Sequence, residues 1–521
     1  MRFYLLTLGC PKNVADSEGM TVVMKQGGYH QTMDPAKADV LIVNTCGFLQ
    51  VARAESENAL RELAALKAPG QVLVAAGCLP QRYGEQVMRD VPGIDGIIGT
   101  KQWTQIARFS DTLRRRRVRA QDRVRIGELD GAEIQTPYAA ARATGSREPA
   151  GAEIQTPYTA ARATGSREPA GTGQVEPAVN ALVATVDRGP RRLRATPSAY
   201  IKIGDGCSAP CAFCTIPSFK GLQQSKPAAQ VVAEARDLAA RGAQEIVLVA
   251  QDSTAYGRDW GAKDALPELL DAILEAVPDL PWLRLMYAYP GNVSERLAET
   301  MARHPQIVHY LDVPLQHGAA GVLRRMRRPS PDVARRMLAT LRAAMPDITI
   351  RSTFIVGYPG ESEAEFQELL DFLSAAQLDR VGAFTFSPEP GTLSAEQEGQ
   401  LPGNLKDERY ERLMEHQRGI SLEKNRAMVG AELDVLIEGA NDGISVGRSY
   451  RDAPEVDGVV LVQQELPIGR MARLRVTGAM EYDLMAAPVG ARATGSHEPA
   501  GQSHTHDHKH SELLQIADAR R

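Results

Sequence analysis

Residues 199–214 read AYIKIGDGCSAPCAFC, and the reading of this stretch decides the fold. A short apolar strand, Ala199–Ile203, runs into three cysteines, Cys207, Cys211 and Cys214, spaced C-x3-C-x2-C. Three thiolates at that spacing wrap one face of a 4Fe-4S cluster, which is normally held by four. One iron is then left open to a reactant. Two other uses of the trio fit less well. A structural zinc site wants a fourth Cys or His, and none lies within about twenty residues of Cys214. A redox C-x2-C pair has no need of the third cysteine.

Downstream of this loop the chain alternates strand and helix. Strands are expected at Ala199–Ile203, Glu245–Val249, Leu283–Tyr287, Val308–Val313, Thr349–Val356 and Arg380–Phe386, with helices such as Ala228–Arg241 and Glu363–Ala375 between them. Six consecutive βα units predict a parallel sheet curved into a partial barrel, over residues 196–425. A polar-ended helix around Lys406–Asn425 closes it. From 426 to 488 the pattern changes to short alternating strands with glycine turns (Leu433–Ile437, Gly458–Val462, Met471–Val476), which predicts a small β-barrel.

Upstream, residues 1–125 also read as α/β, with strands at Arg2–Leu8, Asp39–Asn44 and Val72–Ala76. The other three of the six cysteines sit here, and each follows the end of one of these strands: Cys10 after TLG, Cys46 after VNT, Cys78 after AAG. Strand ends of a parallel sheet line one edge, where ligands bind. Cys10, Cys46 and Cys78 are therefore expected to converge and hold a second cluster. The basic run Arg114–Arg117 reads as a solvated helix end.

Bulk properties agree with a multidomain globular protein. The 521 residues are 43% hydrophobic and 24% charged, enough for about three cored domains. The net charge of -4 does not suit a polyanion binder. No apolar run reaches the length of a membrane helix and Arg2–Leu8 is too short for an export signal, so a cytoplasmic protein without membrane contact is expected. Thiols stay reduced there, which favours metal binding over disulfides. Between the first two domains, within 126–195, residues 131–150 are repeated at 151–170 with a single change, Ala139 against Thr159, and ARATGSHEPAG at 491–501 is a third partial copy. The unit has few large apolar residues, so we read it as a disordered linker insert without chemistry. The tail, 489–521, contains His504, His506, His508 and His510; such a tract binds metal loosely, and we read it as disordered too.

These motifs together resemble the methylthiotransferase family of radical S-adenosylmethionine (SAM) enzymes, over nearly the whole chain apart from the insert and the tail. The C-x3-C-x2-C loop is similar to the radical-SAM signature, and the terminal barrel resembles the module called TRAM. Finer wording, LGCPKNVADSE at 8–18, IPSFKG at 216–221, LVAQDSTAYG at 248–257, PLQHG at 314–318, MRRPS at 326–330 and RVGAFTFSPEPGT at 380–392, is similar to the branch that modifies an aspartate of small-subunit ribosomal protein S-twelve. The alternative is the tRNA adenosine branch, which reads more like VPYTRG and LGQNVNSY at the matching places.

The resemblance implies two 4Fe-4S clusters, one binding SAM on its open iron (Cys207, Cys211, Cys214) and one carrying sulfur (Cys10, Cys46, Cys78). It implies consumption of two SAM molecules per turnover, an external low-potential electron donor, a sulfur donor, and as partner the ribosomal protein or the small ribosomal subunit. Further SAM contacts implied are Gln251 and Asp252 at the amino group, Gln316 at the ribose, and Gly357, whose bare backbone would admit the adenine. His317 reads as a wall histidine. Arg351 faces either the SAM carboxylate or a structural carboxylate. The oligomeric state expected is a monomer.

Charge offers an independent test of the branch. Between Arg426 and Asp483 six basic residues stand against ten acidic ones, a net of -4. A module gripping RNA should be basic; an acidic one suits a basic protein partner.

Overall fold

The computed structural model describes residues 1–115, 124–125 and 197–489. The duplicated insert and all of the tail after 489 lie outside the described residues. The first domain is a parallel sheet of six strands in the order β2-β1-β3-β4-β5-β6. They are β1 (Arg2–Thr7), β2 (His30–Gln31), β3 (Val40–Thr45), β4 (Val72–Gly77), β5 (Gly96–Gly99) and β6 (Val124–Arg125). Four helices cover it: α1 (Pro11–Gln26), α2 (Gln50–Leu66), α3 (Cys78–Asp90) and α4 (Ile106–Arg115). β3 and β4 are buried along their whole length, which is why they read as unbroken apolar runs. Val40 and Ile42 enter one core, Leu41 and Val43 the other. β5 is a Gly-Ile-Ile-Gly strand too short to carry a pattern. Arg114, near the end of α4, reaches Asp39 at 3.5 Å, so the basic run is partly anchored.

The second sheet is also parallel, in the order β7-β10-β11-β12-β13-β14. Its strands are β7 (Ser198–Lys202), β10 (Glu245–Val249), β11 (Trp282–Leu285), β12 (Ile307–Asp312), β13 (Thr349–Val356) and β14 (Arg380–Thr385), with a small ribbon of β8 (Gly204–Asp205) and β9 (Gln224–Ser225). The helices are α5 (Ile216–Lys220), α6 (Ala228–Ala240), α7 (Leu266–Ala276), α8 (Glu295–Arg303), α9 (Ala320–Arg325), α10 (Pro331–Ala344), α11 (Glu363–Ala376) and α12 (Gly403–Arg426). Ser362 and Glu365 form a capping box that starts α11. Alternate residues of each strand face opposite ways. Ile246 and Leu248 pack outward on the helices, while Val247 and Val249 face inward with Tyr200, Met286 and Tyr310.

The third domain is a closed barrel, β15-β16-β17-β19-β18, made of β15 (Glu432–Asn441), β16 (Ile444–Ser449), β17 (Val460–Val462), β18 (Met471–Ala479) and β19 (Leu484–Pro488). The alternation of β15 does two jobs. Leu433, Val435 and Ile437 fill the small barrel, and Leu436 points the other way into the inner face of the second sheet, beside Ala453. Val14 and Ala15 of α1 pack on that same inner face. The open side of the partial barrel is thus closed from two directions by its own neighbours.

Ion pairs fasten the small barrel in place. Arg448 meets Glu245 at 2.6 Å, Arg380 meets Asp452 at 2.7 Å, and Arg351 meets Asp457 at 3.2 Å. Arg284, fully buried, meets Glu245 at 2.7 Å. The acidic surplus seen in the sequence therefore does not all lie on a free surface: Asp452 and Asp457 face arginines of the second domain.

Candidate active site

The six cysteines form no disulfides. Cys10, Cys46 and Cys78 follow the carboxyl ends of β1, β3 and β4, three adjacent strands. Local chemistry brings them close. Cys10 occupies the N-cap position of α1 without a side-chain capping bond, and Pro11 presets the first turn. A side chain on Gly9, at φ +94, would strike the Cβ of Cys46 at 2.7 Å, and one on Gly47 would lie 3.1 Å from the carbonyl carbon of Cys78. Asn13, buried, ties the three loops together: Nδ2 donates to Leu8 O (2.7 Å) and Thr45 O (3.1 Å), and Oδ1 lies 3.8 Å from Cys78 Sγ. Ser56 Oγ accepts from Cys46 N and donates to Cys46 O, both at 3.1 Å.

Cys207, Cys211 and Cys214 lie on the loop that follows β7 and the short β8. It is held by Cys207 N to Gly221 O (3.1 Å), Cys214 N to Cys211 O (3.2 Å) and Ala212 N to Met326 O (3.0 Å). Arg328 Nη1 donates to Cys211 Sγ at 3.6 Å, with its guanidinium 4.2 Å over the Tyr289 ring. Burial pushes Cys78 and Cys214 up to about 12 and Cys207 up to about 11. Without metal these thiols keep their protons at neutral pH, so metal uptake must release them. Among the described residues no group of three or more His, Cys, Asp or Glu side chains is arranged to hold a single metal ion.

A chain of charges joins the two trios. Asp16 of α1 pairs with Lys202 at 2.6 Å, and Lys202 with Asp205 at 3.5 Å. Asp205 pairs with Lys220 at 2.9 Å and accepts from Gln251 Nε2 at 3.0 Å. Lys202 and Lys220 stay firmly protonated despite burial because of these carboxylates, and Lys220 also feels Cys78. A second tie crosses the same gap. Arg82, whose side chain is largely covered, meets Glu389 at 3.1 Å and donates to the carbonyls of Gly47 and Phe48 beside Cys46.

The other expected site residues fare differently. Gln251 has its Oε1 buried with no hydrogen-bond partner among the described residues, an acceptor open to a ligand. Asp252 is already engaged: it accepts from Thr254 Oγ1 (2.6 Å), Ala255 N (3.1 Å) and Asn292 Nδ2 (2.9 Å), although its charge bears on Cys207. Gln316 has φ +75 and bridges to β13 through Thr353 O and Ile355 N, both at 2.8 Å. At Gly357, φ is +71 and a side chain would strike Lys406 Cγ at 2.4 Å. Packing of α12, not a bound adenine, is enough to require that glycine. His317 is a wall residue, buried, accepting from Ala319 N at 3.0 Å and facing Glu361 at 3.4 Å. Arg351 takes the structural option, pairing with Asp312 at 3.0 Å besides Asp457. Reading the chain did not single out Asn13, Lys202, Lys220 or Arg328. Three of them lie inside quoted motifs (LGCPKN, IPSFKG, MRRPS), but only the fold shows which of their neighbours carry chemistry.

A parallel partial barrel with a three-cysteine loop after its first strand defines the radical-SAM class, and residues 201–373 match the family described as the radical SAM superfamily. Residues 2–99 match the uncharacterized protein family UPF0004, and residues 429–489 the TRAM domain. The chain is 48% identical to the ribosomal protein uS12 methylthiotransferase RimO of Chloroflexus aurantiacus over 93% of its length and 99% of that protein's. It is 46% identical to the same enzyme of a Roseiflexus species, over 96% and 100%. The chain belongs to the RimO family of methylthiotransferases, whose cofactors are SAM and 4Fe-4S clusters. Among solved structures, the radical SAM methyltransferase TsrM of Kitasatospora setae shares the fold, with a TM-score of 0.51 at 15% identity, over 85% of this chain and 77% of that one. Among the described residues no helix is long and apolar enough to cross a membrane.

Proposed function

We propose that this protein transfers a methylthio group to the β-carbon of an aspartate in ribosomal protein uS12. The observation that carries the reading is the paired arrangement of two cysteine trios, each at the carboxyl edge of its own parallel sheet and joined through Asp16, Lys202, Asp205 and Lys220. Cys207, Cys211 and Cys214 hold the cluster that binds SAM; Cys10, Cys46 and Cys78 hold the other. When bound, the clusters and SAM supply the radical that takes hydrogen from the substrate carbon and the methylated sulfur that replaces it.

The chain's own residues orient and shield. Gln251 Oε1 offers an acceptor to the amino group of SAM, and Asp252 holds the loop beside it through Thr254 and Asn292. Gln316 and Gly357, at the ends of neighbouring strands, would hold the ribose and adenine of SAM, Gly357 through its backbone. Arg328 offsets negative charge on Cys211. Tyr200, Met286 and Tyr310, packed against Leu436 and Ala453, keep water from the inner face of the barrel. The protein works as a cytoplasmic monomer, drawing electrons from an external low-potential donor and sulfur from a separate one, on free uS12 or the small ribosomal subunit.

The test is direct. Anaerobically reconstituted enzyme, given a reductant, SAM and sulfide, is offered a uS12 peptide and, separately, adenosine-modified tRNA, with products read by mass spectrometry. The peptide should gain a methylthio group. Modification of the tRNA alone would overturn the reading.

A further inference from the structure

Several cations in the interior of this protein are matched by carboxylates, and others by a thiol or a carbonyl: Arg328 donates to Cys211 Sγ and Lys406 to Phe386 O. Lys202 has Asp16 and Asp205, Lys220 has Asp205, Arg351 has Asp312 and Asp457, and Arg82 has Glu389. Lys12 breaks the pattern. Its side chain is half-buried, and among the described residues its ammonium has neither an ion pair nor a hydrogen bond; it lies over the ring of Tyr287, 3.4 Å from the centroid.

The fold gains little from a lysine there. Lys12 is the second residue of α1, and the helix dipole disfavours a cation at that end. A cation over an aromatic face recovers only part of its lost hydration. The position is also the one where chemistry converges. Lys12 is two residues from Cys10, and its charge reaches both Cys46 and Asp312 on β12. Tyr287 beneath it sits at φ +63, a conformation a non-glycine residue holds only when its surroundings impose it. The ammonium thus stands between the first cysteine trio and the strand ends of the second sheet, over a ring fixed in place.

We infer that Lys12 receives the side-chain carboxylate of the substrate aspartate and makes the enzyme prefer aspartate to asparagine. This rests on the reading of the substrate given above. A carboxylate completes the missing ion pair with a charge-assisted hydrogen bond in a partly desolvated site. A neutral amide at the same place leaves the ammonium unmatched.

The test measures peptide binding by fluorescence anisotropy on enzyme with both clusters reconstituted. Two uS12 peptides are compared, one with the target aspartate and one with asparagine there. The proteins are the wild type, Lys12→Met, Lys12→Gln and Lys12→Arg, each assayed for iron and sulfide. The wild type should favour the aspartate peptide by about tenfold or more. Lys12→Met and Lys12→Gln should lose that factor on the aspartate peptide alone, bringing the ratio near one, and Lys12→Arg should keep part of it. A neutral variant with full iron content that retains the wild-type ratio overturns the assignment and leaves the proposed function standing. A wild type that binds neither peptide, and modifies tRNA instead, overturns both.

Discussion

Asp16 lies 2.6 Å from Lys202, although one belongs to the helix that follows Cys10 and the other to the strand that precedes Cys207. Asp16 is almost wholly buried and Lys202 is largely so. The pair fixes the helix of one cysteine domain on the first strand of the other. Removing one partner of a buried pair strands the other charge. Lys202→Met should therefore lower stability by about 3 kcal/mol, and Asp16→Asn on top of it should cost less than it does alone. A double-mutant cycle by thermal or urea unfolding checks this; additive losses would mean the two residues do not act together.

The Glu245 network makes a pH prediction. Burial by itself would raise this carboxyl, but Arg448 and then Arg284 hold it at about 2, below its ordinary 4.5. A depressed folded-state value contributes stability that is complete above the unfolded value. That stability, about 3 kcal/mol, drains as pH falls from about 4.5 through 2. Glu245→Gln should be less stable at neutral pH, and its melting temperature should fall less steeply over that acid window. Parallel curves for the two proteins would refute the assignment.

Cysteine substitution separates the two clusters. Cys10→Ala and Cys207→Ala should each lose about half of the roughly eight irons that two clusters require. Only Cys207→Ala should lose reductive cleavage of SAM. Iron and sulfide analysis beside 5′-deoxyadenosine release distinguishes this from a single shared site, in which either change would empty the protein.

Gly77 tests the first trio without touching a thiol. It sits at φ +98 directly before Cys78, and a side chain there would lie 2.7 Å from Thr45 O and 2.9 Å from Thr45 N. Both obstacles are backbone of the segment that leads to Cys46. Gly77→Ala must strain its own backbone, at about 1–3 kcal/mol, or push Cys46 and Cys78 apart. Iron content should fall toward that of Cys10→Ala, while Cys207-dependent SAM cleavage remains.

Much of the architecture was legible because it is written locally. Glu245–Val249 is legible to the residue because a buried parallel strand reads as a nearly continuous apolar run, and Thr349–Val356 because it is rich in β-branched residues although its polar positions interrupt the run. β5, Gly96–Gly99, escaped notice because two of its four residues are glycine. Ile444–Ser449 is a strand whose inner side carries Ser445, Gly447 and Ser449 rather than large apolar residues, so its alternation is faint. The charge count of the small barrel was correct as arithmetic and incomplete as physics. Counting residues cannot tell Asp452, which neutralises Arg380, from an acid free to meet a partner.

The cysteines, their two groupings and the order of the three domains follow from the amino-acid order alone, because coordination spacing and strand periodicity are short-range properties. Which charges meet is a different matter. The match of Lys202 to Asp16 across 186 positions, the turning inward of Asp457 toward Arg351, and the placement of Lys12 over Tyr287 with no ion pair among the described residues arise only when separate domains pack. Ion pairing depends on distance and desolvation, and neither exists until the chain has folded.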